Sequence, residues 1–472
     1  MDGSIAGVSA VRRLPVVKDL TLVTAGAMTA NVAGYLLQLL ASRWLGVGGY
    51  SSFASLLAVQ MLCAVPALAL QNVVAREVVR GAPVAAARGL TLRCAGLVTA
   101  AALVLVPVVA AVLKVGFAAA AGALCSAPML VLLAGEQGIL QGRSRFRELA
   151  TVLGGAAIIR ITPAVILLAC GAGAAPALWA GAAGAALAAA AARRIAATAP
   201  STHPSYTTAA AAEQVSTEAG LPGPAAGPIG AGGPSPAVAE QLSTGPRARM
   251  TVDRTRTERA DGWGLGVGAV FRAVQVQAAL TALSAADLLV SRIVLDENDA
   301  GRYALGAIAA KIAFWLPQAV GVVLYPRMAQ PQHSARAMRS ALAVLVGIGA
   351  VTVLGAAVAA PLAPLFAGKD YAPIEGLLWL FALEGALLAV LQAVLLSAIA
   401  ADRTAPAAIT WLGLGVGVAV MLTRAHSVLS LIVIATATAA VTTLVITGLA
   451  LRAARDGAEN RSPVPDLGAN GT

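Results

Sequence analysis

The sequence predicts an all-α, polytopic membrane protein with about 12 transmembrane helices in two pseudo-symmetric six-helix bundles. Three observations carry that expectation. The first is composition: 58% of the 472 residues are hydrophobic and 12% are charged, with mean hydropathy +0.81, whereas a soluble domain carries about 25% charged residues. The second is length. Apolar stretches of about 20 residues recur along the chain, each able to cross a hydrocarbon core of roughly 30 Å at about 1.5 Å per residue. The third is an internal repeat. Ser42-Arg43 is followed by Tyr50, Pro66 and, ten residues later, Arg76; Ser291-Arg292 is followed by Tyr303, Pro317 and, again ten residues later, Arg327.

The first half, residues 1–192, holds apolar spans at 20–41, 53–75, 94–113, 117–138, 149–170 and 174–192. The second, residues 263–455, holds spans at 265–290, 303–325, 341–362, 374–401, 407–423 and 428–451. Backbone groups inside lipid must be satisfied within the segment, so each span is expected to be a helix. The first span follows Arg12, Arg13 and Lys18 as a signal peptide would. Its length exceeds a signal h-region, and no small-residue cleavage site follows it convincingly, so it is kept as a span. The Ala- and Gly-rich sixth span, Gly171 to Ala192, suits close packing through small residues. Gly264, Gly266 and Gly268, like Gly413, Gly415 and Gly417, fall in apolar spans and are expected to pack helices; a nucleotide fingerprint needs a preceding strand. Residues 193–262, dominated by Pro, Gly, Ser, Thr and Ala with an Arg-rich end, are expected to form a disordered cytoplasmic linker. Residues 456–472 are expected to form a cytoplasmic tail.

Lys and Arg set the orientation. With the N-terminus in the cytoplasm, 24 of the 33 basic residues fall on the cytoplasmic side, six outside and three within spans. That asymmetry puts both termini in the cytoplasm of a multi-pass cell-membrane protein. The net charge of +11 then reports topology and contact with anionic membrane lipids, and nothing points to nucleic acid. Cys63, Cys94, Cys125 and Cys170 stand singly without CxxC spacing, and His203, His333 and His426 lie in separate loops, so neither a metal site nor a cofactor is expected. The Asn460-Arg461-Ser462 sequon lies in the cytoplasmic tail and carries no information.

Ionisable residues inside spans are the informative ones, because a charge at the bilayer centre costs roughly 2.5 to 3.5 kcal/mol even on insertion scales. Arg160 lies about 16 Å into span five, near the midplane, where it is either an anion-gripping residue or the structural partner of Glu384 at similar depth. Asp287 and Lys311 occupy the outer halves of spans seven and eight. They are read as a structural ion pair or, alternatively, as a site where Asp287 exchanges a proton or sodium ion against Lys311 or Arg160. Arg272 near the cytoplasmic mouth of span seven either captures substrate or snorkels toward headgroups. Glu136 is expected to pair with Arg143 or Arg145. Asn31 at the midplane of span one, with Gln38 above it, offers neutral hydrogen bonds to sugar hydroxyls or to neighbouring helices. Substrate-binding candidates are therefore Arg160, Arg272, Lys311 and Asn31, and ion-coupling candidates are Asp287 and Glu384. An excess of Arg and Lys at the centre favours an anion such as pyrophosphate, which guanidinium binds bidentately; an exporter of drugs or cations would want carboxylates there.

Several runs resemble a known family. They are Leu140-Gln141-Gly142-Arg143-Ser144-Arg145-Phe146, Ala286-Asp287-Leu288-Leu289, Gly301-Arg302-Tyr303, Tyr325-Pro326-Arg327 and Phe366-Ala367-Gly368-Lys369-Asp370-Tyr371. Their order and placement are similar to the oligosaccharide flippases, or polysaccharide biosynthesis membrane proteins, of the multidrug/oligosaccharidyl-lipid/polysaccharide exporter superfamily. Arg43-Trp44-Leu45-Gly46 and Tyr50 match that family's first outer turn, although Ser51 stands where a Gly is usual. The 193–262 segment is also longer than the family's connection. The resemblance implies two six-helix lobes around a central cavity and alternating-access movement of a polyprenyl-diphosphate-linked oligosaccharide to the outer leaflet, without covalent chemistry. It further implies coupling to a proton or sodium ion and work beside polysaccharide assembly proteins. The alternatives are an ion-coupled multidrug-type exporter and, from another class, a membrane glycosyltransferase or ligase. Short outer loops with few charges speak against the last.

A reporter tag inserted in 193–262, or after Arg455, should read out as cytoplasmic, and one beside Lys369 as external. An odd number of crossings between the first two positions would overturn the six-plus-six topology.

Overall fold

The computed structural model describes the backbone of residues 4–198, 267–328, 334–400 and 405–459, with side chains described within 22–198, 275, 277–316, 342–395 and 408–452. Every regular element among the described residues is helical. In chain order these are α1 (Ser4–Cys63), α2 (Val65–Val79), α3 (Val84–Val112), α4 (Phe117–Gly142), α5 (Phe146–Ala169), α6 (Ala174–Thr198), α7 (Val267–Val294), α8 (Glu297–Met328) and α9 (Ser334–Ala359). The short helix α10 (Ala363–Ala367) follows, flanked by 3-10 turns at Ala360–Leu362 and Lys369–Leu377, and then α11 (Leu378–Ala400), α12 (Ala405–Arg424) and α13 (Val428–Glu459).

Each of the twelve expected spans falls on helix. Nine helices among the described residues are long and apolar enough to cross a membrane, and Leu22–Val79 counts among them as a single stretch of 58 residues. At about 1.5 Å per residue such a stretch is nearly three hydrocarbon cores long, so it must be two crossings. The break is at Gly46, with φ 66° and ψ 178°, a region open essentially to glycine alone. The second leg of α1 continues into α2, where Pro66 occupies the first turn and gives up an N–H that would have had no helical partner.

Helix ends differ from the expected edges where helices outrun the hydrocarbon. The third helix begins at Val84, ten residues before its expected start, because backbone hydrogen bonding continues through the headgroup layer that hydropathy does not mark. The sixth runs to Thr198, past the expected linker start at 193, and α13 runs to Glu459, past 455. The rest of the expected linker, 199–262, and the tail from 460 lie outside the described residues.

In the first half α1 packs along α5, and α4 lies against both α2 and α3; in the second, α11 lies against α8, α9 and α13, while α7 lies against α12. The halves meet where α1 packs on α7 and α8 and where α2 packs on α7. Small residues permit the closest approaches. A side chain at Gly184 would run into the backbone of Ile159 and Arg160, one at Gly385 into the Ala310 carbonyl, and Gly413 and Gly417 seat Thr442 and Thr438. Gly415 faces open space instead, and Gly264, Gly266 and the surroundings of Gly268 lie outside what is described. Where the start of α3 meets the C-terminal end of α4, Arg88 grips Glu136 with two bonds of 2.8 and 3.0 Å. The expected pairing of Glu136 with Arg143 or Arg145 does not form, because α4 turns Glu136 toward α3 and Arg145 pairs with Glu148 on its own helix.

Gly46→Ala should lower stability by about 1 to 3 kcal/mol, the cost of holding a non-glycine residue in that region. Space is not the obstacle, since nothing lies within 4 Å of a Cβ at either Gly46 or Gly34. Gly34→Ala, in a helical stretch of α1, should therefore be neutral or slightly stabilising. Thermal unfolding of both variants checks the contrast.

Candidate functional site

Three ionisable side chains of the second half share one buried cavity. Asp287 comes from the C-terminal half of α7, Lys311 from α8 and Glu384 from α11, and Ala58 and Met61 of the first half close the wall. Both carboxylates are buried. Tyr303, two helical turns before Lys311 on α8, donates its hydroxyl to Asp287 Oδ2 at 2.7 Å. That ring is itself buried and meets Phe381 edge-on, with centroids 5.0 Å apart at 70°. Phe381 lies one turn before Glu384 on α11, so the aromatic contact also fixes where the second carboxylate sits.

The cavity is small, about 20 Å³. That admits a water molecule or a bare ion. Asp287 Oδ1 and Glu384 Oε2 are buried without a hydrogen-bond partner among the described residues, although most buried polar atoms are satisfied. Two carboxylates stand against one ammonium, so a fully ionised site would carry one uncompensated negative charge away from water, which is costly. Such a site is suited to taking a proton or a small cation. Among the described residues no group of three or more His, Cys, Asp or Glu side chains is arranged to hold a metal.

Lys311 faces the first half. Its Nζ donates to Gln38 Oε1 at 3.4 Å, and the Tyr35 hydroxyl donates to the Lys311 carbonyl at 3.1 Å. Asp287 and Lys311 line the same cavity, as their depths predict, but the direct ion pair does not form: Tyr303 takes the carboxylate and Gln38 the ammonium. Asn31 lies four residues before Tyr35 and seven before Gln38, on the same stripe of α1. It is partly buried and makes no hydrogen bond among the described residues.

Arg160 stands apart from this cluster. It lies in α5, where its backbone packs against Gly184 of α6. Its side chain is partly buried and has no hydrogen bond or ion pair among the described residues. The expected alternative of an Arg160–Glu384 pair is not what forms, since Glu384 belongs to the α7–α8–α11 cavity; equal depth along two helices did not make them neighbours. Among the described residues, the expected excess of basic charge at the centre therefore separates into a cavity richer in carboxylate and Arg160 on α5. Arg272 is in α7, and its side chain lies outside the described residues. Tyr303 and Tyr35 went unassigned by sequence reasoning, although Tyr303 was in view as a marker of the repeat.

No protein-family model and no curated protein sequence matches the chain. Solved structures do match. A multidrug resistance MATE family transporter of the MOP superfamily, in an inward-facing conformation, aligns over 94% of this chain and 100% of its own, with TM-score 0.60 at 12% identity. The chain has the MATE fold. A Vibrio cholerae MATE transporter, VcmN, aligns as a point mutant over 93% of this chain and 97% of its own with TM-score 0.52 at 15% identity, and its bent form gives 0.51 over the same shares. At such identities the likeness establishes a polytopic helical membrane architecture, and residue roles rest on this chain's own geometry.

Tyr303→Phe removes the donor to Asp287 Oδ2 and leaves a further buried acceptor unsatisfied. Thermal unfolding should show a loss of about 1 to 3 kcal/mol. An unchanged unfolding temperature would mean that water reaches the carboxylate.

Proposed function

We propose that this protein is an ion-coupled, alternating-access exporter of the cytoplasmic membrane, with both termini in the cytoplasm and its halves, 1–192 and 263–455, acting as two lobes. The observation that carries the reading is the buried Asp287–Lys311–Glu384 cavity, with its two unpartnered carboxylate oxygens, set against the first half within a MATE fold. An ion or proton entering there compensates the excess negative charge. Its loss restores that charge, and the Lys311 contacts to Gln38 and Tyr35 give the second half a means of transmitting the change to the first. Alternating access needs such a differential interaction between two states.

Of the substrate classes the sequence suggests, a multidrug-type exporter has the better support. One of the matched transporters is described as a multidrug resistance protein, and the cavity holds more carboxylate than ammonium. Movement of a polyprenyl-diphosphate-linked oligosaccharide, with polysaccharide assembly proteins as partners, is the second reading. One observation favours it: Arg160, in the middle of a membrane helix, has no counter-charge among the described residues. In that reading Arg160 grips the diphosphate, with Asn31, Lys311 and Arg272 as further contacts.

The test uses the full chain in proteoliposomes with an imposed proton or sodium gradient, offering an organic cation to one batch and a fluorescent polyprenyl-diphosphate sugar to another. Wild type should move the cation in response to one gradient. Asp287→Asn and Glu384→Gln should each lower that transport at least about tenfold, a loss of about 1.4 kcal/mol in driving interaction, while the protein remains folded. Gradient-driven transport that survives both changes would overturn the ion site. Transport of the lipid-linked sugar but not the cation, abolished by Arg160→Ala and partly kept by Arg160→Lys, would replace the first substrate class with the second.

A further inference from the structure

The duplicated Ser-Arg pair makes the same connection twice at the outer ends of the helices. In the first copy the Ser42 hydroxyl donates to the Leu39 carbonyl at 2.7 Å, and Arg43 Nη1 reaches the carbonyls of Leu365 and Phe366 in α10, each at 3.3 Å. In the second the Ser291 hydroxyl donates to the Leu288 carbonyl at 2.8 Å, and Arg292 reaches the turn between α3 and α4. There Nε donates to the Leu113 carbonyl at 3.0 Å and Nη2 to the Lys114 carbonyl at 3.4 Å. Each arginine thus leaves its own half and ends on the other half's corresponding outer segment.

The two copies are unequal. Arg43 is exposed, and its two bonds are long. The Arg292 side chain is 8% exposed and makes three more contacts: Nη1 to Ser51 Oγ at 2.9 Å, Nη2 to Ser52 Oγ at 3.2 Å, and Nη2 to Glu297 Oε1 of its own half at 3.3 Å. Ser51 occupies the position where the resembled flippases usually carry glycine, so here the hydroxyl is an added acceptor. Lys114 is held at φ 51°, a conformation uncommon outside glycine and of the kind that persists where surrounding contacts enforce it. The Leu113 carbonyl, at the end of α3, has no intrahelical partner of its own and is free to accept. On the Arg43 side the Tyr371 hydroxyl adds one bond to the Ser42 carbonyl at 3.3 Å.

We propose that Arg292 is a latch holding the outer ends of the two halves together, that Arg43 is its weaker duplicate, and that the latch must release whenever the carrier opens outward. The inference rests on the alternating-access reading. Four of the five Arg292 contacts cross between halves, and only a planar guanidinium fork meets acceptors in several directions at once; a lysine would keep the charge and lose most of the contacts.

Hydrogen–deuterium exchange on the purified full chain, without substrate or gradient, tests the latch independently of transport. Arg292→Ala should speed exchange on the order of tenfold in segments 47–52 and 113–117 of the opposite half, because local opening there becomes less costly. Segment 134–142, at the C-terminal end of α4, should not change. Arg43→Ala should produce a smaller rise, at 363–371. Should Arg292→Ala fail to fold, the Ser51→Ala, Ser52→Ala double variant removes two acceptors while leaving the arginine in place, and should speed exchange at 47–52 in the same direction. Unchanged exchange at 47–52 in both variants, or a rise confined to α7, would overturn the latch. Transport that ignores Asp287→Asn and Glu384→Gln would count against the ion-coupled reading and leave the exchange result standing.

Discussion

Hydrocarbon gives helices no reward for pressing their apolar faces together, because lipid tails are as apolar as leucine. What holds this bundle is close approach, and close approach needs small residues at the crossings. Gly184 over the backbone of Ile159 and Arg160, Gly385 over Ala310, and Gly413 and Gly417 over Thr442 and Thr438 are contacts that no larger side chain would permit. They also decide which polar groups can meet. The α8–α11 contact that Gly385 allows brings Glu384 to the wall already occupied by Lys311, and the Tyr303–Phe381 contact sets the carboxylate of Asp287 beside it.

Depth was legible in the sequence; direction around the helix was not. Each expected span falls on helix among the described residues, and counting residues from the ends put Asp287 and Lys311 in the outer halves of their spans and Glu384 near the midplane with Arg160. Whether two residues of equal depth are neighbours depends on helix packing and rotation, which composition does not encode. Arg160 was accordingly matched with Glu384 although they belong to different parts of the bundle, and Glu136 with Arg143 or Arg145 although α4 presents it to Arg88. Helix ends were missed for a related reason. Hydropathy marks the edge of hydrocarbon, whereas backbone hydrogen bonding continues into the headgroup layer, as in α3 and α6.

The separation of Arg160 from the carboxylates changes the electrostatic picture. A single basic centre would hold an anion and oppose a cation throughout the cycle. On the proposed reading, a carboxylate-rich cavity on α7, α8 and α11 with Arg160 on α5 separates ion exchange from substrate contact. The two are joined only through helix contacts such as those of Lys311 with Tyr35 and Gln38. Coupling of that kind relies on elements that hold two discrete arrangements.

The outer seam has one further property. Gly301 lies so close to the Val47 carbonyl that not even a methyl group would fit between them, and Gly48, next to Val47 in α1, has the Glu297 side chain against it. The two halves therefore meet backbone to backbone at Gly301 and Val47, and backbone to side chain at Gly48 and Glu297. In the proposed cycle, closing such a seam is like seating a bolt against a stop: travel ends where Gly301 meets Val47, and there the guanidinium of Arg292 reaches its acceptors. Added bulk at Gly301 would act as a wedge between the halves at Val47, and in the proposed cycle it would keep that side from closing.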